Sequence, residues 1–243
     1  MPFEMEEVVE TISMVHLHHF DIRTVTMGIS LRDCISSDIR ETERKVKKKI
    51  GSYAKNLVST VDEISKEFSI PVANKRIAIS PASLLLDSLP PGSALRLAVA
   101  LDEVAEEVGV DYIAGFSALV EKGMSKGERA LIESLPEVLS KTKRLCSSMN
   151  IASTATGINM DVVQSLGPVI KEIAGKTEKQ GGVGCAKFVV FCNAVQDNPF
   201  VAGAFHGVTE GEACISVGIS GPGVVRRVIE LQSTHRLSPI YPC

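Results

Sequence analysis

The chain has 243 residues, 44% hydrophobic and 23% charged, with a formal net charge of -3 and a pI near 6.0. That length suits one large domain or two small ones. Balanced charge, 5% aromatic residues and no Trp leave neither the basic field nor the stacking platforms of a nucleic-acid binder.

No stretch reaches the ~20 apolar residues of a membrane span, so no membrane partner is expected. The acidic start, MPFEMEEVVETISMV, lacks the basic and apolar regions of a secretory signal, and the expected address is the cytoplasm. Cys34, Cys146, Cys185, Cys192, Cys214 and Cys243 form no CxxC pair and read as reduced structural thiols.

In chain order, the first motif is HLHH (16–19), closing an N-terminal helical stretch. His16 and His19 share a face there, where placement at a helix C-terminus explains them more simply than a metal. FDIRTVTMGISL (20–31) is the first predicted strand. A helix is predicted from about Asp38 to Phe68, because Ile39, Val46, Ile50, Leu57, Val61, Ile64 and Phe68 follow a 3.6-residue period. Its RKVKKK run falls mostly on the opposite, solvated face.

VANKRIAIS (72–80) is the next strand, LPPGSA (89–94) a loop, and a helix follows Gly92. VDYIAGFSAL (110–119), KRLCSSMNIAS (143–153), CAKFVVFCNAV (185–195) and EACISVGIS (212–220) are further strands. Helices are predicted over about 128–139, from Asn159 or Asp161 as N-cap to Ala174, and from Pro222; KTEKQGGVG (176–184) is a loop. Strands alternating with helices imply α/β architecture built from repeated βα units with a parallel sheet. The near-continuous apolar runs KFVVF and CISVGI fit strands buried on both faces.

In such folds, binding and catalytic groups gather at the C-terminal strand ends. Those ends hold Ser30, Arg32, Asp33, Ser80, Ser117, Ser147, Ser148, Asn150 and Ser153, then Asn193, Asp197 and Asn198, then Ser220, Gly221 and Gly223. Hydroxyls and amides of this kind suit hydrogen bonding to a small polar or anionic ligand. They suit a metal less well, and no metal ligands are assigned. The same residues also serve as helix caps and turns.

At VGISGPGVVRRV, a glycine-rich turn leads into a helix start, where backbone N–H groups favour an anion. It matches neither the dinucleotide fingerprint nor the lysine-bearing phosphate loop. In FCNAVQDNPFVAGAFHGV (191–208), a short helix is expected from Pro199, capped by Asp197 or Asn198, with His206 near its end. A Cys192–His206 thiolate pair is conceivable if the two meet in space. In NKR (74–76), Lys75 or Arg76 can turn into a pocket to meet an anion, the alternative being an edge or solvent-facing position.

FDIRTVTMGISLRDC, NKRIAISP, DYIAGFSALVEKG, LCSSMNIASTATGINM, FCNAVQDNPFVAGAFHG and VGISGPGVV, in that order, closely resemble a family of uncharacterised bacterial and archaeal proteins. The family is catalogued as a domain of unknown function, number seven hundred and eleven. The resemblance covers roughly residues 5–228. It implies a barrel like that of pyruvate formate-lyase and other glycyl-radical enzymes: ten strands in two parallel five-stranded halves set antiparallel, with a loop threaded inside. It implies no activity, and radical chemistry is not inherited with a fold. No radical-bearing glycine motif is present, and Cys192 and Cys214 lie in or beside strands.

Members of that family run to nearly twice this length. The match fades after VVRRVIEL, so residues 1–230 read as an α/β half-barrel and 231–243 as a tail outside the family pattern, as truncation, alternative splicing or a shifted reading frame produces. An open half-barrel exposes strand edges, and self-association is expected on that ground.

The leading reading is an α/β-barrel enzyme acting on a small polar anionic metabolite at the strand C-termini. Asp197 or His206 is its acid–base candidate, and both are its candidate catalytic residues. Asn193, Asn198, Ser220, Gly221 and Gly223 bind the ligand, and Arg23, Lys75 and Arg76 supply counter-charge. The competing readings are a non-catalytic metabolite-binding or regulatory protein, or an inactive truncated isoform. No cofactor is assigned.

Overall fold

The computed structural model describes residues 22–199 and 202–219, with Gly221, Val225, Arg226, Val228 and Ile229 beyond them. Strands and helices alternate: β1 (Ile22–Ile29), α1 (Ile39–Ala54), α2 (Leu57–Glu67), β2 (Val72–Ile79), α3 (Ser83–Leu86), α4 (Ser93–Val108), β3 (Tyr112–Leu119), α5 (Lys126–Lys141), β4 (Leu145–Ser153), β5 (Gly157–Ile158), α6 (Met160–Lys176), α7 (Val183–Ala186), β6 (Phe188–Cys192) and β7 (Ala213–Ile219). All six strands expected from the sequence form. In the helix expected from Pro222, Gly221, Val225, Arg226, Val228 and Ile229 are helical, while Pro222 itself and the HLHH motif lie outside the described residues.

β1 pairs with β2, β2 with β3, β3 with β4 and β4 with β6, all parallel. β7 runs antiparallel along the other edge of β1, and β5 adds a two-residue antiparallel rung to the end of β4. The result is a mixed α/β fold around a mostly parallel sheet. No helix among the described residues is long and apolar enough to cross a membrane.

The alternation of side chains along each strand sorts this sheet into two unlike faces. One face is apolar: Val25, Ile29, Ile77, Ile79, Ile113, Phe116, Leu145 and Met149 pack with Ile50, Leu101, Leu135 and Leu166 of the helices in one core. Burying each such side chain contributes about 1.5–3 kcal/mol of transfer free energy, so the driving force for folding sits on this side. The opposite face carries small and polar residues: Thr24, Thr26, Ala78, Ser80, Ala114, Ser117, Cys146, Ser148 and Asn150, all buried. A bulge in β3 keeps this sorting intact. The β3–β4 register shifts between Ile113 and Phe116, at Gly115 with φ +110°, where a Cβ would collide with the Ile79 carbonyl.

One helix was expected over 38–68, and two form. α1 starts on Asp38, whose carboxylate accepts the Arg40 amide at 2.9 Å, and ends at Ala54; α2 restarts after Asn56. The apolar period bridges the break because Val46, Ile50, Leu57 and Val61 all face the same core. The basic run of α1 is ion-paired at the surface: Lys45 to Glu41, Lys47 to Glu103, and Lys49 to both Asp33 and Glu212.

Local caps complete the frame. Ser125 and Glu128 form a reciprocal capping box at the start of α5. Asn159 caps α6, its side chain accepting from the Val162 amide, as one of the two expected caps. Asp102 of α4 accepts the backbone amides of Lys143, Arg144 and Leu145, which pins the entry to β4.

Candidate functional site

Between β6 and β7, the stretch around Ala204, Phe205 and His206 lies against the small-residue face of the sheet. Ala204 packs with Ala78, Ala114 and Cys146 there. Asn198 and Phe205 form an antiparallel backbone bridge, with N···O distances of 3.1 and 2.8 Å in the two directions. That bridge replaces the helix expected from Pro199. The backbone turns back on itself and presents Phe205 and His206 to the sheet, both almost wholly buried.

His206 is held at the C-terminal end of β2, where its backbone amide donates to the Ile79 carbonyl at 2.9 Å. Its ring is oriented from one side by Nε2, 2.8 Å from the Gly211 carbonyl. A carbonyl only accepts, so Nε2 carries the hydrogen, and in the neutral ring Nδ1 bears the lone pair. Nδ1 faces Asp197 Oδ1 at 3.4 Å and Cys214 Sγ at 3.7 Å. Asp197 Oδ1 also accepts the Gly207 amide at 2.7 Å, which fixes the carboxylate without a helix to cap.

The thiol beside His206 is therefore Cys214 of β7. Cys192 ends β6, exposed and paired in register with Ala152 of β4. Burial and the Asp197 charge push the Cys214 thiol up from its ordinary value, which disfavours a thiolate–imidazolium pair formed by these two groups alone. Gly28 of β1 lies directly across from Cys214, and a Cβ there would stand 2.5 Å from His206 Nδ1. The sequence reading identified Asp197 and His206 but placed Cys214 inside a strand. The period-2 position of Cys214 on a strand opposite a glycine was the available signal, and it required the β1–β7 register.

The remaining candidates disperse. Asn193, at φ +56°, accepts from the Thr154 amide at 2.6 Å and from its hydroxyl at 3.1 Å, tying the ends of β6 and β4 together. Asn198 is a buried member of the bridge. Arg23 is exposed, and Lys75 projects to the helical side, where its Nζ pairs with Asp62 at 2.6 Å. Arg76 alternates to the small-residue face. Its guanidinium lies 5.6 Å from the Tyr112 ring centroid, and its buried Nε has no hydrogen-bond partner. Gly221 is exposed, and Ser220 and Gly223 lie outside the described residues.

The hydroxyls of the small-residue face bond largely within the fold. Ser117 and Ser148 hydroxyls meet at 2.7 Å, and Ser80 Oγ accepts the Leu31 amide at 2.9 Å. Open space lies at the rim. Two neighbouring clefts of about 630 Å³ each share Met124, Arg129 and Glu133 beyond the C-terminal end of β3, and one of them is lined also by Glu121, Lys122, Asn159 and Asp161. A buried Glu121 carboxylate oxygen has no hydrogen-bond partner.

Comparison with known proteins adds a family. A family model described as Uncharacterised ACR (DUF711) matches residues 13–241. A UPF0210 protein of Acetivibrio thermocellus is 54% identical over 230 residues, 95% of this chain and 50% of that protein. Others from Methanocaldococcus jannaschii and Listeria monocytogenes are 52% and 51% identical over 94% and 93% of this chain. The chain thus spans about half the length of the curated relatives it matches. A solved structure of D-allulose 3-epimerase from Methylomonas sp., in complex with D-allulose, aligns over 88% of this chain and 82% of its own at 11% identity and a TM-score of 0.29, too slight a likeness to bear on fold or function.

Proposed function

The chain belongs to the Uncharacterised ACR (DUF711) family, and we propose that it binds a small polar, anionic metabolite at the C-terminal ends of its strands, with the His206 cluster as the reactive end of the site. The carrying observation is the placement of His206. A fully buried, singly oriented imidazole beside a carboxylate, at the end of a parallel strand, is an arrangement that costs stability unless its polar groups are used. Arg76, with its unpartnered Nε, is the proposed counter-charge for an anion, set back from the strand ends opposite Tyr112, the first residue of β3. On this reading the protein is an enzyme, and cytoplasmic.

The same proposal includes the architecture. Five parallel strands in chain order, then β7 antiparallel to β1, with a segment laid over the small-residue face, fit one half of a ten-stranded barrel of the pyruvate formate-lyase kind. The half of the relatives that this chain does not span supplies the rest. The exposed apolar side chains of Ile215, Val217 and Ile219, each about half accessible on β7, support that reading, since such a stripe favours a covering partner. In this chain alone, self-association is the expected substitute.

A second reading, binding without turnover, is supported by the mutual hydrogen bonding of Ser117 and Ser148, which leaves few free groups on the face itself. A thermal-shift screen of metabolites tests the proposal. Carboxylate- or phosphate-bearing compounds are expected to raise the unfolding midpoint of the wild type and to fail with Arg76→Ala. Stabilisation by uncharged compounds alone, or hits indifferent to Arg76→Ala, would overturn the anionic assignment. Turnover of a hit decides between enzyme and binder.

A further inference from the structure

The geometry points to a three-ligand site for a divalent metal ion of the zinc class, formed by His206 Nδ1, Asp197 Oδ1 and Cys214 Sγ. These three atoms lie within 4.8 Å of one another, on a fully buried imidazole, a part-buried carboxylate and a part-buried thiol. Zinc bonds of about 2.0–2.1 Å to nitrogen, about 2.0–2.2 Å to oxygen and about 2.3 Å to sulfur, at tetrahedral angles, set the N···O and N···S separations at about 3.4 and 3.6 Å. The separations here are 3.4 and 3.7 Å.

Three further observations favour an ion over a hydrogen-bonded triad. First, Nε2 donates to the Gly211 carbonyl, which turns the Nδ1 lone pair of the neutral ring toward a carboxylate oxygen. Two electron-rich atoms 3.4 Å apart in a buried place repel unless a proton or a cation lies between them. A second-sphere carbonyl on the far nitrogen is the usual support of a metal-bound histidine. Second, the Asp197 oxygen is itself anchored by the Gly207 amide, as ligating carboxylates are. Third, Gly28 leaves the space between His206 and Cys214 free of a side chain.

Binding balances simply. Cys214 loses its thiol proton to solvent and forms the metal–sulfur bond, while Nδ1 and Oδ1 donate existing lone pairs. Nitrogen, oxygen and sulfur ligands together select zinc-like ions over calcium or magnesium. With three protein ligands among the described residues, a fourth position is left for water or for an oxygen of the substrate, the arrangement of catalytic rather than structural zinc. Asp197 and His206 then hold the ion, and the water on it carries the proton that the acid–base reading gave to them.

The inference rests on the proposed function only in making this cluster the reactive end. Metal binding is read without substrate, and metabolite binding can be read in chelator, so the two fail independently. The test is titration of the chelator-treated 243-residue chain with Co²⁺ and Zn²⁺, followed by absorbance and unfolding midpoint. One equivalent of Co²⁺ is expected to give a thiolate-to-metal charge-transfer band and tetrahedral visible bands. Cys214→Ser should abolish the charge-transfer band, Asp197→Asn should weaken binding by about tenfold or more, and Cys192→Ser should change nothing. Zn²⁺ should raise the wild-type midpoint more than that of Asp197→Asn at the same concentration, a comparison that holds even if Cys214→Ser does not fold. No stoichiometric binding to folded wild type, or a band that survives Cys214→Ser, would overturn the site.

Discussion

Gly28 of β1 and Cys214 of β7 are direct cross-strand partners, and the ring of His206 occupies the space that a side chain at position 28 would need. A Cβ there would meet Nδ1 of His206 at 2.5 Å and Sγ of Cys214 at 2.7 Å. Gly28→Ala is therefore expected to displace His206 and destabilise the fold by about 1–3 kcal/mol, the usual cost of overpacking. Urea unfolding measures the loss. In the same protein, Co²⁺ charge transfer should be weakened or absent.

Asp102 tests the frame away from the site. Its carboxylate accepts three consecutive amides, from Lys143, Arg144 and Leu145, at 2.7 to 3.1 Å. Asp102→Ala leaves those donors unpaired where β4 begins, and the expected cost is about 3 kcal/mol in denaturant unfolding. An effect within experimental error would show that water replaces the carboxylate at no cost.

The thiols should divide by environment. Burial, helped by the Asp33 charge, pushes Cys34 up to about 12, and burial pushes Cys146 up to about 11, so neither supplies thiolate at neutral pH. Cys192 is exposed. Mass-spectrometric mapping after brief alkylation of the native protein at neutral pH is expected to find Cys192 modified, with Cys34 and Cys146 protected until unfolding. Zn²⁺ should additionally protect Cys214.

Glu137 provides an acid-range test. Hydrogen bonds from Lys141 and Lys176 hold its carboxyl at about 2, below its ordinary 4.5. A depressed folded-state value stabilises above the unfolded value and is lost as pH falls through the folded one. The stability difference between wild type and Glu137→Gln is thus expected to be full above about pH 4.5 and to vanish toward pH 2. The pair is at the surface, so the difference should also shrink with added salt.

The exposed stripe on β7 makes the last prediction. Ile215→Lys with Val217→Lys should lower any concentration dependence of the light-scattering mass, because charged residues on an edge strand oppose sheet-to-sheet association. Unchanged association would place the self-contact elsewhere.

Local patterning carried much of the fold. Apolar runs such as KFVVF and CISVGI, and the 3.6-residue period of the helices, marked every one of the six longer strands and most of the helices. Those signals are short-range and written within a few residues; they marked the strands but not their burial, since KFVVF and CISVGI, expected to be buried on both faces, leave Val190, Ile215, Val217 and Ile219 exposed. The break at Lys55–Asn56 escaped because both helices bury the same stripe, so the period continues across it. The Pro199 helix was a false expectation because the Asn198–Phe205 bridge satisfies the backbone instead, and that pairing depends on the sheet face the segment covers. The site divided in the same way. Asp197 and His206 lie close enough in the chain to be noticed together. Cys214 and Gly28 join them only through the antiparallel register of β1 with β7, 186 residues apart in numbering (214 minus 28). Composition and periodicity determine what kind of element forms; only tertiary pairing decides which faces are covered and which buried polar atoms converge, because both depend on distances between strands that no local pattern encodes.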